Sequence, residues 1–306
     1  MRARAPGKLV LSGAYAVLHG APAIVAAVDR YVLADAGRPA ELVTDEVRAA
    51  IGAERAPWFD ATALRGDGRK LGLGSSAAIV VASLAALELA REGDSLPDDV
   101  LASRVLQPAL EAHRSAQGGG SGVDVVASTL GGHHVVRRHL DELQPQRCRW
   151  PKALRVEAWV SSAAASTPEL LARVRQLAQA APARFAEAMT RQSAAAEAAA
   201  AALDAGDALG LVSALSSQHE ALRALGEAAS APIVTPEAGE LHELAQASAA
   251  VVLPAGAGGG DVVLFFGPDP STAAFAERAT RLGHARLELT LGARGVHALA
   301  RADESA

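Results

Sequence analysis

The stretch Lys70-Leu71-Gly72-Leu73-Gly74-Ser75-Ser76-Ala77-Ala78 runs straight into Ile79–Ala90 and constrains the fold more than any other part of the chain. Glycines and serines ahead of a long run of helix formers spell a tight loop that opens the N-terminus of a helix. Gly72 and Gly74 allow positive φ, or an approach of backbone to ligand that a Cβ would block. Ser75 or Ser76 is expected to cap the helix. The N–H groups of the first turn and the positive end of the helix dipole then face the loop, where a phosphate is the natural occupant.

Half of the 306 residues are hydrophobic, enough for a large core, but only 3% are aromatic. The core is therefore expected to be built from Ala, Val and Leu, with no surface on which nucleic-acid bases could stack. A formal net charge of −5 also argues against nucleic acid or an acidic membrane as partner, so an anionic ligand must be met by local cations. Cys148 is the sole cysteine, which excludes an intrachain disulfide and points to a reducing, cytoplasmic setting. Arg2 and Arg4 ahead of Leu9–Leu18, with Ala21-Pro22-Ala23 behind, imitate an export signal. Gly7, Lys8, Gly13 and His19 interrupt it and the apolar character continues through Ile24–Val28, so export is not expected. Leu71–Ala90 is long enough to span a bilayer. Its Gly/Ser opening and Ala-rich character suit a buried helix better, and no membrane partner is expected.

Length suggests two domains. A change of character near Arg147–Pro151 divides the chain into 1–150 and 151–306. In the first part, Lys8–Gly13 and Ala23–Val28 read as strands of a hairpin, and 35–70 as a mixed polar stretch anchored by Trp58 and Phe59. Val100–Arg114 reads as a helix emptying into Gly118–Asp124, followed by a helix or strand to Leu130. In the second part, Leu154–Val160 reads as a strand. Two or three Ala-rich helices follow from Pro168 to about Gly226, then a helix at Glu237–Ala249. Ala250–Leu253 leads into the glycine loop Gly256–Asp261, followed by a strand at Val262–Phe266 and a last helix and strand at Phe275–Leu291.

Generic nucleotide motifs fit poorly. No G-x-x-x-x-G-K-[ST] occurs. Gly72-Leu-Gly74-Ser-Ser-Ala77 meets the loose dinucleotide fingerprint, but polar Gly66–Lys70 stands where a buried strand belongs, and the expected acid falls near Asp94 at a helix end. Three loops taken together fit better. Pro6-Gly7-Lys8-x-x-Leu11-x-Gly13, Gly72-Leu-Gly74-Ser75-Ser76-Ala77 and Gly256-Ala-Gly258-Gly259-Gly260-Asp261 resemble, in order, the three motifs of the GHMP small-molecule kinases. The resemblance implies an α+β two-domain fold, with an N-terminal α/β domain, a C-terminal ferredoxin-like domain carrying added Ala-rich helices, and ATP in the cleft between them. Tyr15-Ala-Val-Leu18-x-Gly20-Ala-Pro-Ala23 with Ala27-Val-Asp29-Arg30, Lys70, Ala112-His113-x-x-Ala116-Gln117-Gly118 leading to Gly120-Ser121-Gly122-x-Asp124-Val125, and Ser166-Thr167-x-x-Leu170 are most similar to the phosphomevalonate kinase branch of that family. Mevalonate kinase, or another member with an alcohol acceptor, is the nearest alternative, and a non-catalytic ligand sensor on the same fold is a third.

Phosphoryl transfer needs positioning and neutralisation of charge more than covalent work by the protein. Gly72, Leu73, Gly74, Ser75, Ser76 and Ala77 are expected to hold the ATP phosphates, with Ser76 as the protein ligand of Mg²⁺. Lys8, a charge in an otherwise apolar strand, needs a partner; it is expected to contact the transferred phosphoryl group or the acceptor. The resemblance implies that Asp124 takes or orients a hydroxyl proton when the acceptor is an alcohol. A phosphomonoester, with a second pKa near 6, is already ionised, and Asp124 would then chiefly position Lys8 and the metal. A phosphorylated acceptor brings about two more negative charges, for which Lys70, beside Arg69, is the candidate cation. Ser121, Ser166, Thr167, Gly258 and Gly259 complete the expected substrate contacts, with the third glycine loop pressing against the phosphate loop and Asp261 structural. The expected partner is a small phosphorylated or hydroxy-acid substrate, and the chain a monomer or homodimer. Two departures from the family pattern stand out. Ala14 replaces the usual Glu, and His113 occupies the place near which several members carry an acidic Mg²⁺ ligand, Glu111 lying one helical face away. His113, His133 and His134 lack the cysteine or acid that would complete a zinc site.

Overall fold

The computed structural model describes residues 1–66, 68–93, 96–140, 142–162 and 167–299. In chain order the elements begin with β1 (Arg2–Ser12), a 3₁₀ turn at Ala16–His19, β2 (Ala23–Pro39), α1 (Asp45–Ile51) and β3 (Pro57–Asp60). The short strands β4 (Arg65–Gly66) and β5 (Arg69–Lys70) lead to α2 (Ser75–Glu92), α3 (Asp98–Ala116), α4 (Val123–Leu130), β6 (His133–His139) and β7 (Glu142–Cys148). Then come β8 (Arg155–Ser161), α5 (Thr167–Ala180), α6 (Pro182–Asp204), α7 (Ala208–Ala229) and α8 (Pro236–Gln246). The chain closes with β9 (Val251–Pro254), β10 (Val262–Gly267), α9 (Ala273–Arg281), β11 (His284–Leu287) and β12 (His297–Ala298).

The chain forms two units, and neither is a contiguous half. The first holds Met1–Leu9, Val25–His134 and the segment from Leu289; the second holds Val10–Ile24 and Val135–Glu288. The divisions fall inside β1, β2 and β6, where no change of composition marks them, unlike the division expected near residue 150. The return of the C-terminal segment has a physical cause. β12 pairs antiparallel with β1 through Ala3↔Ala298 and Arg4↔His297, and Leu291 and Arg294 bridge to Val28 and Gly131.

The larger sheet has the strand order β12-β1-β2-β6-β7, with β3 on the far half of β2. That pairing, which includes Ala34↔Phe59, carries β2 well past the Val28 at which its apolar pattern ends. Trp58 and Phe59 are half-buried rather than core anchors; Arg38 lies 4.1 Å over the Trp58 ring. α1 rises from the polar stretch because Thr44 Oγ1 accepts from the Val47 N–H at 3.3 Å, and Asp45 and Glu46 sit in the first turn, favoured by the helix dipole. α2 packs on α1, α3 and α4 and buries Ala77–Ser83, Ala85, Ala86 and Leu89. An apolar helix buried on most sides is a core helix, and no described helix is long and apolar enough to cross a membrane.

Gly131 ends α4 at φ +65, and a Cβ there would lie 2.1 Å from the Gly295 nitrogen of the returning segment. Left-handed strain and a backbone clash act together. Gly131→Ala is therefore expected to cost more than about 2 kcal/mol of stability, read as a lowered midpoint in chemical denaturation.

In the second unit β8, β9, β10 and β11 form an antiparallel sheet in the order β11-β8-β10-β9. Numbered along the chain this is order 4-1-3-2 with helical crossovers after the first and third strands, the ferredoxin-like arrangement. The first crossover carries the expected added helices, α6 and α7 packing along each other. Alanines at 188, 195, 196, 199 and 200 are buried in α6, so the alanine run serves as a close-packing face. Under the sheet Trp159, Phe265 and Phe275 meet edge to face with centroids 5.1–5.5 Å apart.

Candidate active site

The first unit assembles one group of polar side chains around the mouth of α2. Gly74, at φ 74 and ψ 40, is the residue that caps α2, and no side chain closes the cap. Ser75 and Ser76 therefore stand in the first turn instead of capping it, because the left-handed glycine takes the cap position. Gly72 is also left-handed, at φ 71. Ser75 and Ser76 are half-buried, while Leu73 and Ala77 are buried and anchor the loop on either side. The result is a helix N-terminus open to an anion.

β1 brings Lys8 to this loop. The Lys8 N–H donates to the Leu73 carbonyl at 2.9 Å. The approach requires Gly7, where a Cβ would meet the Leu73 oxygen at 2.9 Å and Leu64 Cδ2 at 2.7 Å. The Lys8 side chain lies across Gly74: a Cβ on Gly74 would stand 2.8 Å from its Cε and 2.9 Å from its Cγ. Gly74 is thus glycine for two reasons, its φ and the lysine above it.

The run Gly118–Gly122 has an equally specific cause. Gly118, Gly119, Gly120 and Gly122 all take positive φ, a path that side chains would resist. It lets α3 end and α4 begin side by side. His113 Nε2, from the last turn of α3, comes 3.2 Å from Asp124 Oδ2, in the first turn of α4. Asp124 Oδ1 accepts from the Val125 N–H at 3.1 Å. One turn beyond His113, Gln117 Nε2 donates to both Glu46 Oε1 and Ser76 Oγ at 3.2 Å.

The electrostatics follow from this packing. Burial alone would raise the Asp124 pKa, but the close approach and charge of His113, and then the charge of Lys8, outweigh it and bring the carboxyl down to about 2. Burial would lower His113; Asp124 and then Glu46 overcome this and the opposing Lys8, so its pKa is raised. Glu46 is lowered despite its burial by its own backbone N–H, Gln117, Thr44 and His113.

The other expected residues stand as follows. Lys70 is exposed on β5, opposite Arg65 on β4. Ser121 is half-buried in the glycine turn. Thr167 is exposed and opens α5 in the second unit, and Ser166 lies outside the described residues. Gly258 and Gly259 are also in the second unit. A Cβ on Gly258, at φ +81, would lie 2.1 Å from the Ile233 oxygen, which accepts from the Gly259 N–H at 3.0 Å. Packing within their own unit therefore already requires this loop. Tyr15, left-handed at φ 63 and beside half-buried Ala14, donates its hydroxyl to the Ala257 carbonyl of the loop at 2.7 Å. Glu111 is exposed while His113 is buried, as two residues' spacing on a helix requires.

Sequence reasoning missed Glu46 and the double donation by Gln117. The Thr44-Asp45-Glu46 cap signature was the available signal for α1. The Ser76 hydroxyl, half-buried at the mouth of α2, is the group there that could serve as a protein donor to Mg²⁺. Mg²⁺ takes most of its ligands from phosphates and water, so one hydroxyl suits an ion carried by a nucleotide and would not suit an all-protein cage. In the second unit, ligand atoms of His219, Glu220 and His242 lie within 4.8 Å of one another. The two rings stack at 3.6 Å, however, so their lone pairs run side by side without converging, and Arg223 holds the Glu220 carboxylate at 2.8 Å.

Comparison with known proteins places this segment in a family. Residues 62–132 match the family "GHMP kinases N terminal domain", the segment that contains the α2 loop, His113 and Asp124. A mevalonate kinase of Archaeoglobus fulgidus is 30% identical over 153 residues, 43% of this chain and 51% of that one, so the match spans about half of that relative's length. A phosphomevalonate kinase of Streptomyces sp. (strain CL190) is 27% identical, with 84% of this chain and 87% of that one covered. Among solved structures, Streptococcus pneumoniae phosphomevalonate kinase in complex with phosphomevalonate and AMPPNP superposes with a TM-score of 0.75 at 18% identity, over 95% of this chain and 99% of that one. Residues 62–132 thus match the GHMP kinase N-terminal domain, and the chain is similar to a phosphomevalonate kinase over most of its length and has the fold of these kinases.

Proposed function

We propose that the chain is an ATP-dependent kinase that transfers a phosphoryl group to phosphomevalonate, giving diphosphomevalonate. The observation that carries this reading is the state of Asp124 beside Lys8. A carboxylate held ionised by the neighbouring His113 and Lys8 charges, with the Val125 N–H on one oxygen, is a weak base for an alcohol proton. A phosphomonoester does not need one, since it arrives ionised near neutral pH. Asp124 in this reading orients Lys8, and the Lys8 ammonium meets the negative charge on the transferred group and its acceptor. The open N-terminus of α2 and the backbone of Gly72–Ala77 bind the nucleotide phosphates. Mg²⁺, held through the phosphates and Ser76, supplies further neutralisation of charge when bound. The relation to the Streptomyces phosphomevalonate kinase over most of both chains supports the choice of acceptor.

Mevalonate as acceptor is the second reading, favoured by the 30% identity to the Archaeoglobus enzyme across the N-terminal region. A coupled ADP-release assay with mevalonate, phosphomevalonate, diphosphomevalonate, homoserine and galactose separates these. Turnover of phosphomevalonate is expected. Turnover of mevalonate alone would overturn the first reading, and turnover of none would favour a sensor.

Lys70 is exposed on its short strand and is proposed to meet the phosphate already on the acceptor. Lys70→Ala is expected to raise KM for phosphomevalonate about tenfold or more, the value of one charge-assisted contact, with KM for ATP nearly unchanged. Equal effects on both substrates would contradict the assignment.

A further inference from the structure

The site contains a buried imidazole to which the kinase reading gives no task. His113 is 3% exposed, in the last turn of α3, and its Nε2 stands 3.2 Å from Asp124 Oδ2. The other carboxylate oxygen is engaged by the Val125 N–H. The His113 approach is a close charge contact that falls short of hydrogen-bond geometry, leaving Nε2 a buried polar atom whose nearest acid is Asp124. The Val125 contact is local to α4, whereas His113 and the charge of Lys8 act on Asp124 from outside that helix. The charged groups facing the imidazole are Asp124 from α4, Glu46 from α1 and Lys8 from β1. Two acids and one base surround it, an environment suited to a protonated ring.

His113 lies in the last turn of α3, and Gln117, one turn on, is the residue that caps the helix. One holds Asp124, the other holds the Ser76 hydroxyl at the mouth of α2. A single helical turn therefore sets both the carboxylate beside Lys8 and a hydroxyl of the phosphate loop. We propose that His113 is a positioning residue of the transfer site, its buried, protonated imidazole facing Asp124 through Nε2 and holding that carboxylate in the orientation that serves Lys8, with Glu46 as its second acidic neighbour. The kinetic part of this proposal rests on the kinase reading; the protonation of Nε2 does not.

The ring's raised pKa gives the proposal a pH signature. The imidazolium is lost as pH rises through that raised value, so kcat should fall along an alkaline limb. His113→Leu, which removes the donor, should lower kcat at least about tenfold, the value of one hydrogen bond to a charged group, while KM for ATP stays within about twofold. His113→Gln, which restores a neutral donor, should recover most of the loss and flatten the alkaline limb. A purely structural role would move stability and both kinetic constants without changing the limb. The independent measurement is ¹⁵N-edited NMR of the histidine rings in the wild-type chain and in Asp124→Asn. A proton on His113 Nε2 at pH 7 is expected, with the apparent pKa falling in the variant. An unprotonated Nε2 at pH 7, or an unaltered kcat in His113→Leu, would overturn the proposal. If the wild-type chain turns over none of the tested acceptors, the kinase reading fails, and the NMR result still decides the state of His113.

Discussion

Lys8→Met is expected to lower kcat by about 10²–10³-fold, the loss seen when one preorganised donor to developing charge is removed. The substitution keeps the length and apolar stem of the side chain and removes only the ammonium. The contacts of β1 with the loop run through the Lys8 backbone, whose N–H reaches the Leu73 carbonyl, and through Gly7, and these survive. Thermal stability should consequently change little, and KM for ATP should rise less than kcat falls. Stopped-time ADP assays beside a thermal melt separate the outcomes. A large loss of stability with unchanged kcat in the folded fraction would show that Lys8 is a packing residue.

The second large effect is expected at Gly74. An alanine there incurs the left-handed penalty, about 1–2 kcal/mol, and places a methyl against the Lys8 methylenes at 2.8–2.9 Å. The lysine is the flexible partner and must move. Displacing a charged group by about 1 Å in such a site costs on the order of 100-fold in rate, so Gly74→Ala should combine modest destabilisation with a collapse of kcat. Gly93, which caps the other end of α2 at φ +96 with nothing within 4 Å of a built Cβ, is the matched control. Gly93→Ala, at φ 96 and ψ 168, should show at least as much backbone strain and ordinary kinetics. Similar kinetics in the two variants would mean that the contact between Lys8 and Gly74 has no bearing on the reaction.

These two residues also show what a sequence can disclose. The α2 loop was legible because glycine, serine and helix propensity act locally, and the sheet of the second unit was legible because apolar runs such as Val262–Phe266 bury both faces. The cap was misread for a local reason too. Gly74 can take a conformation that serine resists, so the serines fell one and two places into the helix. Non-local features were not legible. β12 is two residues long and exists through its pairing with β1. β2 continues beyond Val28 because β3 supports it. Glu46 reaches Gln117 across 71 residues of sequence, and the pairing of His113 with Asp124 depends on the left-handed path of the glycines between them. The residue types at the site could be read in advance, but their contacts required the fold.

The most direct measurement of the acceptor is a competition followed by ³¹P NMR, with ATP, Mg²⁺ and equal amounts of mevalonate and phosphomevalonate in one sample. Transfer to the phosphorylated acceptor should consume the monoester resonance and produce a coupled pair of diphosphate resonances distinct from those of ADP. Growth of the monoester resonance as ATP is consumed, with no new diphosphate pair, would contradict it.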